Sequence, residues 1–243
     1  MKHDTSLRRF GSLTPTGKGV VIGALNQSYR AGNTIFPSRV FAASEVGRVL
    51  KDGHQSRKIG KEVRKGHRKG WPIFTLTLEE RFTCPRSCTE WGTCYGNNMQ
   101  AAERIAPGSE LEDALVRELA ELQSAFHGGF LIRLHVLGDF YSVGYVDVWR
   151  RYLTDFPALH VFGFTARLPG TEIGDALWDL ASNQWDRFAM RFSGMSGPLM
   201  ASQMVPNDDT QSIDCPAQAG ATDCCATCAL CWQSDRSIAF RRH

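Results

Sequence analysis

From Trp71 onward the chain alternates short apolar runs with longer stretches of helical periodicity. Residues 72–79, 130–137, 160–167 and 187–193 read as strands, being short, rich in β-branched and aromatic residues, and bounded by turn formers. Between them, 110–126, 143–156 and 171–181 carry apolar residues at helical spacing. The order βαβαβαβ predicts an α/β fold, a parallel sheet with covering helices. Upstream the pattern is weaker, with one strand predicted at Val20, Val21 and Ile22 and one helix over 42–50.

Alternation within the strands predicts two unlike faces. Phe74, Leu76, Leu78, Leu134, Val136, Phe162, Phe164, Ala166, Phe188, Met190 and Phe192 form the apolar set, which helices should cover. The opposite set holds Thr75, Thr77, Glu79, Arg133, His135, Thr165, Arg167, Arg187, Arg191 and Ser193, with Asp139 just past a strand end. A polar set of this kind predicts a curved sheet or partial (β/α) barrel whose lumen takes a small polar or anionic ligand, since buried charges need partners. Internal ion pairing with Glu79 and Asp139 is the alternative. Arg133, His135, Asp139, Arg167 and Arg191 are the candidate catalytic residues.

The cysteines change the picture. All eight fall in two places: Cys84, Cys88 and Cys94 after the first strand, and Cys215, Cys224, Cys225, Cys228 and Cys231 in the tail. Clustering of this kind points to metal. Cys225, Cys228 and Cys231 have the C-x2-C-x2-C spacing that takes three corners of a cubane in bacterial ferredoxins, and Cys215-Pro216 resembles the Cys-Pro that ends such motifs. One or two [4Fe–4S] clusters are therefore expected, with zinc as the alternative metal because pairs can also be drawn from the two groups. The tail either holds its own cluster through Cys215, Cys225, Cys228 and Cys231, leaving Cys224 spare, or donates one cysteine to the Cys84/Cys88/Cys94 set. Those three, Gly138-Asp139, Arg167 and Ser193-Gly194 all follow predicted strands, at the edge where α/β sheets bind ligands.

Composition adds less. A length of 243 residues, 42% hydrophobic and 22% charged, suits an ordinary globular chain. The N-terminal charges lack an apolar stretch behind them and no later run approaches a membrane span, which predicts a cytoplasmic protein with no membrane partner. A reducing compartment keeps thiols free for metal. The net charge of +3 is uneven: residues 51–69 carry eight Lys/Arg against Asp52 and Glu62, a local +6, leaving −3 for the rest. This basic arm, flexible or loosely helical, is a candidate nucleic-acid contact through Lys58, Lys61, Arg64 and Lys65, against the plainer reading of a solvated charge run. The predicted organisation is an N-terminal region 1–70 including the arm, a partial barrel over 71–205 and a Cys-rich segment 206–243 packing at the barrel mouth.

The Cys84/Cys88/Cys94 loop after a first strand, followed by Gly138-Asp139 after the second, resembles the radical S-adenosylmethionine enzymes. The resemblance implies a cluster on those three cysteines and S-adenosylmethionine held partly by Gly138 and Asp139. The spacing is C-x3-C-x5-C and the turn Leu-Gly-Asp, where that family has C-x3-C-x2-C and Gly-Gly-Glu. Over about residues 70–243 the chain is also similar to the phage and prophage gene product 88 family and related bacterial proteins. The shared parts are the strand-Cys-Pro loop, Arg133 to Phe140, the Phe-Thr-Ala-Arg strand and the Cys-rich tail. That similarity implies a partial barrel with an iron–sulfur cluster and names no reaction. Three classes stay open: an enzyme with an open iron, a nucleic-acid-binding module stapled by metal, and an electron carrier with a closed cluster. Hydrolase triads, phosphate loops and dinucleotide fingerprints are absent, Gly17-Lys18-Gly19 lacking the spacing.

Overall fold

The computed structural model describes residues 20–56, 58–195, 200–205, 212–234 and 236–241, with backbone alone for 203–205 and 241. Gly17-Lys18-Gly19, the charged N-terminal run and Arg57 lie outside the described residues. In chain order the elements are α1 (Gln27–Ala31), β1 (Val40–Phe41), β2 (Lys51–Asp52), β3 (Ile73–Thr75), α2 (Glu80–Thr83), β4 (Arg104–Ile105), α3 (Ser109–Ala125) and β5 (Phe130–Leu134). There follow α4 (Val143–Asp155), β6 (Leu159–Thr165), α5 (Glu172–Asn183), β7 (Phe188–Ser193), β8 (Ala201–Val205), β9 (Ile213–Asp214), α6 (Cys225–Cys228), α7 (Leu230–Gln233) and β10 (Ile238–Arg241). Strands β1 and β4 pair separately, and the main sheet runs β2-β3-β5-β6-β7-β8-β10-β9, parallel except for β2 against β3. The protein is thus a mixed α/β molecule with a mostly parallel sheet. Among the described residues no helix is long and apolar enough to cross a membrane.

The three long helices begin and face as their sequences dictate. Ser142 and Thr171 cap α4 and α5, their hydroxyls accepting from the N–H groups of Tyr145 and Gly174 at 3.1 Å each. Leu111, Leu115, Leu119 and Leu122 of α3, Tyr145, Trp149 and Tyr152 of α4, and Leu177 and Leu180 of α5 are buried in one cluster with Leu76, Leu78, Ile132, Leu134, Val161, Phe188, Met190 and Phe192 of the sheet side. Each such side chain contributes about 1.5–3 kcal/mol on leaving water. This is the main core, and it lies on the face where the alternation places it for β3, β5 and β7.

The opposite face is a second core. Ile73, Leu131, Phe162 and Ala189 pack there against Ile59, Val63, Cys224, Cys225, Ala226, Ala229, Cys231 and Trp232. The Trp232 ring sits 4.4 Å from that of Phe162. The Cys-rich tail therefore lies across the sheet face and is not confined to its rim. Strand β10 is three places from β6, a separation of roughly 14 Å in a flat sheet, yet the Phe164 and Phe240 rings stand 5.4 Å apart. The sheet bends around the tail.

Several expectations are corrected. The second face is not an open polar lumen, because the apolar side of the tail fills it. In β6 the parity is reversed: Val161 meets the helices, while Phe162 and Phe164 face the tail. His135 lies beyond the end of β5 and packs on the helix side, its ring 5.1 Å from Phe140 and its Nε2 3.3 Å from the Tyr145 hydroxyl. Val20–Ile22 is irregular chain, with the Ile22 N–H donating to Gly92 O at 2.9 Å. In place of a helix over 42–50 there is a single 3₁₀ turn, Ala43–Glu45. Glu45 turns back to accept from the Ala42 N–H, and the N–H groups of Val49 and Leu50 donate to the buried Glu118 carboxylate instead of continuing a helix. The basic stretch is no free arm either, since Ile59, Val63 and Arg68 are buried within it.

Candidate functional site

Four tail thiols bound one cavity. Cys215, Cys225, Cys228 and Cys231 line it together with Pro216, Ala217, Ala229, Leu230 and Ile238. The local chain explains the grouping. Helix α6 carries Cys225 and Cys228; Ala229, at φ 63°, then turns the chain so that α7 presents Cys231 to the same space. A non-glycine residue in that conformation is uncommon and needs surrounding structure to hold it. Cys215 arrives from β9, its N–H donating to Ala239 O at 2.8 Å. Cys224 is not in the cavity lining, and its sulfur lies 3.6 Å from the Thr227 hydroxyl.

Burial pushes the Cys225 thiol up to about 11, and thiolates at Cys215 and Cys228 would raise it further, while Lys58 and Arg133 act the other way. Cys231 is likewise raised by burial and by the neighbouring thiols, with Arg191 opposing. For Cys228 burial again leads, opposed by the Leu230 N–H and by Lys65. A metal or cluster taking these sulfurs must displace their protons. Cations and one N–H therefore already stand where thiolate charge would develop.

Arg191 holds this tail down. Its buried guanidinium donates from Nε to Cys231 O at 3.0 Å, from Nη1 to Arg236 O at 2.9 Å, and from Nη2 to Ser234 O at 2.9 Å. A planar fork of five donors can do this and an ammonium cannot. The side chain read as a candidate catalytic group is in fact spent on backbone carbonyls. Arg133, on the same face, donates to Leu134 O at 2.6 Å and lies over the Phe164 ring at 4.8 Å.

The other three thiols lie past β3 on a loop pinned by buried charge. Glu80 accepts from Arg104 Nε at 2.7 Å and from the Thr34 hydroxyl at 2.8 Å, and Arg104 also donates to the carbonyls of Gly96, Met99 and Ala102. Arg81 donates to Trp91 O and, at 2.5 Å, to Asn97 Oδ1. The sequence reading missed all three of these residues. Charged residues immediately before and after a cysteine loop were the available signal. Burial raises Cys84, and Asp139, Cys94 and Cys88 raise it further; Cys94 is pushed up to about 11 by burial, with the Gly96 N–H opposing.

The predicted convergence of strand ends holds for three loops. The Asp139 carboxylate accepts from the Phe140 N–H, the Thr165 hydroxyl and the Ala166 N–H at 2.7–2.8 Å, and its own N–H donates to the Thr83 hydroxyl. Arg167 bridges Phe140 O and Thr83 O at 2.8 and 2.7 Å. Gly138, at φ 87°, passes so close to Leu78 and Thr83 that a Cβ would stand 2.7 and 2.6 Å from them. Asp139 and Arg167 thus fasten the edge beside Cys84, while Arg191 and the tail thiols belong to the sheet face.

Family models, curated proteins and solved structures give no match to this chain.

All eight cysteines are free thiols, none paired in a disulfide. Among the described residues no three His, Cys, Asp or Glu side chains are gathered as the ligands of a single metal ion. Lys58, Lys61, Arg64 and Lys65 are all exposed on the segment that runs beside the tail. What the site offers is a thiol-lined cavity beside a cationic segment, and a second thiol loop at the carboxyl edge of the sheet.

Proposed function

We propose that this is an iron–sulfur protein in which Cys215, Cys225, Cys228 and Cys231 hold one [4Fe–4S] cluster. The observation that carries this reading is the single cavity those four thiols share. The chemistry of the donor set suits a cluster: soft thiolates bind iron–sulfur centres, the remaining walls are apolar, and Lys58, Lys65, Arg133 and Arg191 stand near enough to oppose the negative charge. Ala217, Ala229, Leu230 and Ile238 are the apolar part of the wall, and the Leu230 N–H donates to the Cys228 sulfur. A bound cluster supplies one-electron transfer. Zinc is ranked second because the C-x2-C-x2-C run is a cubane spacing.

Cys84, Cys88 and Cys94 are proposed to hold a second cluster. With three protein ligands it would leave one iron for a small ligand, the arrangement implied by the resemblance to S-adenosylmethionine enzymes. In this reading the bent sheet is a partial (β/α) barrel, Gly138-Asp139 is the turn beside the loop, and Arg167 keeps the strand ends together.

Anaerobic purification after iron-replete expression, with iron, sulfide and zinc counts and an EPR spectrum, tests both parts. About eight irons per chain are expected for two cubanes and about four for the tail cluster alone. Stoichiometric zinc without iron overturns the proposal.

A further inference from the structure

The segment that bonds to the Cys225–Ala226 turn is built with two sides. The Cys225 N–H donates to Lys58 O at 2.8 Å, the Ala226 N–H to Ile59 O at 2.9 Å, and the Arg64 N–H to Ala226 O at 2.9 Å. Ile59 and Val63 are buried against Ala226 and Trp232. Gly60, at φ 87°, admits the close approach, since a Cβ there would stand 2.8 Å from both the Cys224 sulfur and the Ala226 methyl. Lys61, Arg64 and Lys69 are exposed, as are Lys58 and Lys65, whose charges also reach the thiols, and Glu62 is the one acid among residues 58–69. A cationic surface therefore lies directly behind the Cys225–Ala226 turn, on a chain whose residues outside 51–69 sum to −3.

Resting on the cluster reading of the tail, we propose that this surface is the docking site of an acidic protein electron carrier. A buried centre exchanges electrons best where a partner can lie close to one of its ligands, and here an exposed segment of chain is bonded directly to Cys225 and Ala226. Cations on its outer side steer a negatively charged partner to that spot and fix its orientation more than they tighten the complex. Nucleic acid is also anionic. Residues 51–70 contain no Phe, Tyr or Trp on which a base could stack, and a nucleic acid gains nothing from lying above the thiols.

The test uses the full chain, counted first for iron and sulfide. Stopped-flow reduction of its oxidised cluster is followed with two reductants, flavodoxin hydroquinone as the acidic carrier and photoreduced deazariboflavin as a small uncharged one, across a salt series. The flavodoxin rate constant is expected to fall on the order of tenfold from low to high salt. Joint substitution Lys61→Glu, Arg64→Glu and Lys69→Glu should lower it at least as much at low salt, the two proteins converging at high salt. Iron content and the deazariboflavin rate should not change. The milder set Lys61→Gln, Arg64→Gln and Lys69→Gln should give an intermediate rate, and it serves if the reversed charges impair folding. A flavodoxin rate indifferent to salt and to both variants, with the cluster intact, overturns the proposal. So does salt-dependent oligonucleotide binding that the variants abolish while the carrier rate stands unchanged. Absence of iron and sulfide removes the cluster reading itself, and the docking proposal with it.

Discussion

At the scale of single residues, His135 shows how burial without a charge partner becomes a pH dependence. Burial and the nearby Arg133 hold its imidazole down at about 3, against about 6.5 in an unfolded chain. The folded protein keeps it neutral, so the unfolded state binds the proton first as pH falls. The stability contribution is whole above about 6.5 and is lost on going down toward 3. At pH 5 the loss is about 2 kcal/mol by that linkage. His135→Phe keeps an aromatic ring beside Phe140 and Tyr145, and should lose about 2 kcal/mol less than the parent between pH 7.5 and pH 5, measured by urea unfolding at matched metal content. An unchanged difference would mean the histidine is not held neutral. Among the tail cysteines, Cys224→Ala should retain the parent's iron whereas Cys228→Ala should lose about one cubane's worth, since Cys228 lines the cavity and Cys224 does not. Equal iron loss from both would put Cys224 among the ligands.

Arg191 decides the matter at the scale of elements, because it ties β7 to the tail. Truncating it leaves the carbonyls of Cys231, Ser234 and Arg236 without their buried donor. Each such group costs about 1–3 kcal/mol. Arg191→Ala should therefore destabilise the protein by several kcal/mol and speed proteolysis within 212–241, and Arg191→Lys should recover only part of this because it lacks the fork. Wild-type protease resistance in Arg191→Ala would show that the clamp is dispensable. The same element shows what was legible beforehand. The helices at 109–125, 143–155 and 172–183 match the periodicity to within a residue or two, since each buries one stripe and wets the other. The strands are legible too, but alternation assigns β6 the wrong face because both alternate sets are apolar: Val161 meets the helices and Phe162 meets Trp232. Alternation reports burial on one side only, and it fails where a strand is covered on both. Strands β8, β9 and β10 are short and irregular in pattern and gave no such signal. The C-x2-C-x2-C spacing of Cys225, Cys228 and Cys231, by contrast, depends on local chain geometry, and those three thiols line one cavity; Cys215 joins them through the pairing of β9 with β10.

Among the described residues two large cores of unequal standing lie on opposite faces of one sheet, and a small third cluster of Cys215, Ala217 and Ile238 adjoins the tail. The helix-side core is made of large apolar side chains from α3, α4, α5 and four strands. The tail-side core is smaller and counts Cys224, Cys225 and Cys231 among its members, held by Arg191 and by backbone bonds to residues 58–64. If metal closes the second core, its removal should release one face and spare the other. Stripping the protein with a strong chelator under anaerobic conditions should leave most of the helical circular dichroism, which comes from the three long helices, while opening 212–241 and 58–66 together to protease. These two segments should open as a unit, because the Cys225, Ala226 and Arg64 amides bond across them. Refilling with iron and sulfide should restore protection, as expected where binding free energy is also folding free energy. Loss of the helical signal along with the metal would mean that both faces fold as one cooperative unit; unchanged protection after complete stripping would mean that Trp232, Ile59 and the Arg191 clamp hold the tail without metal.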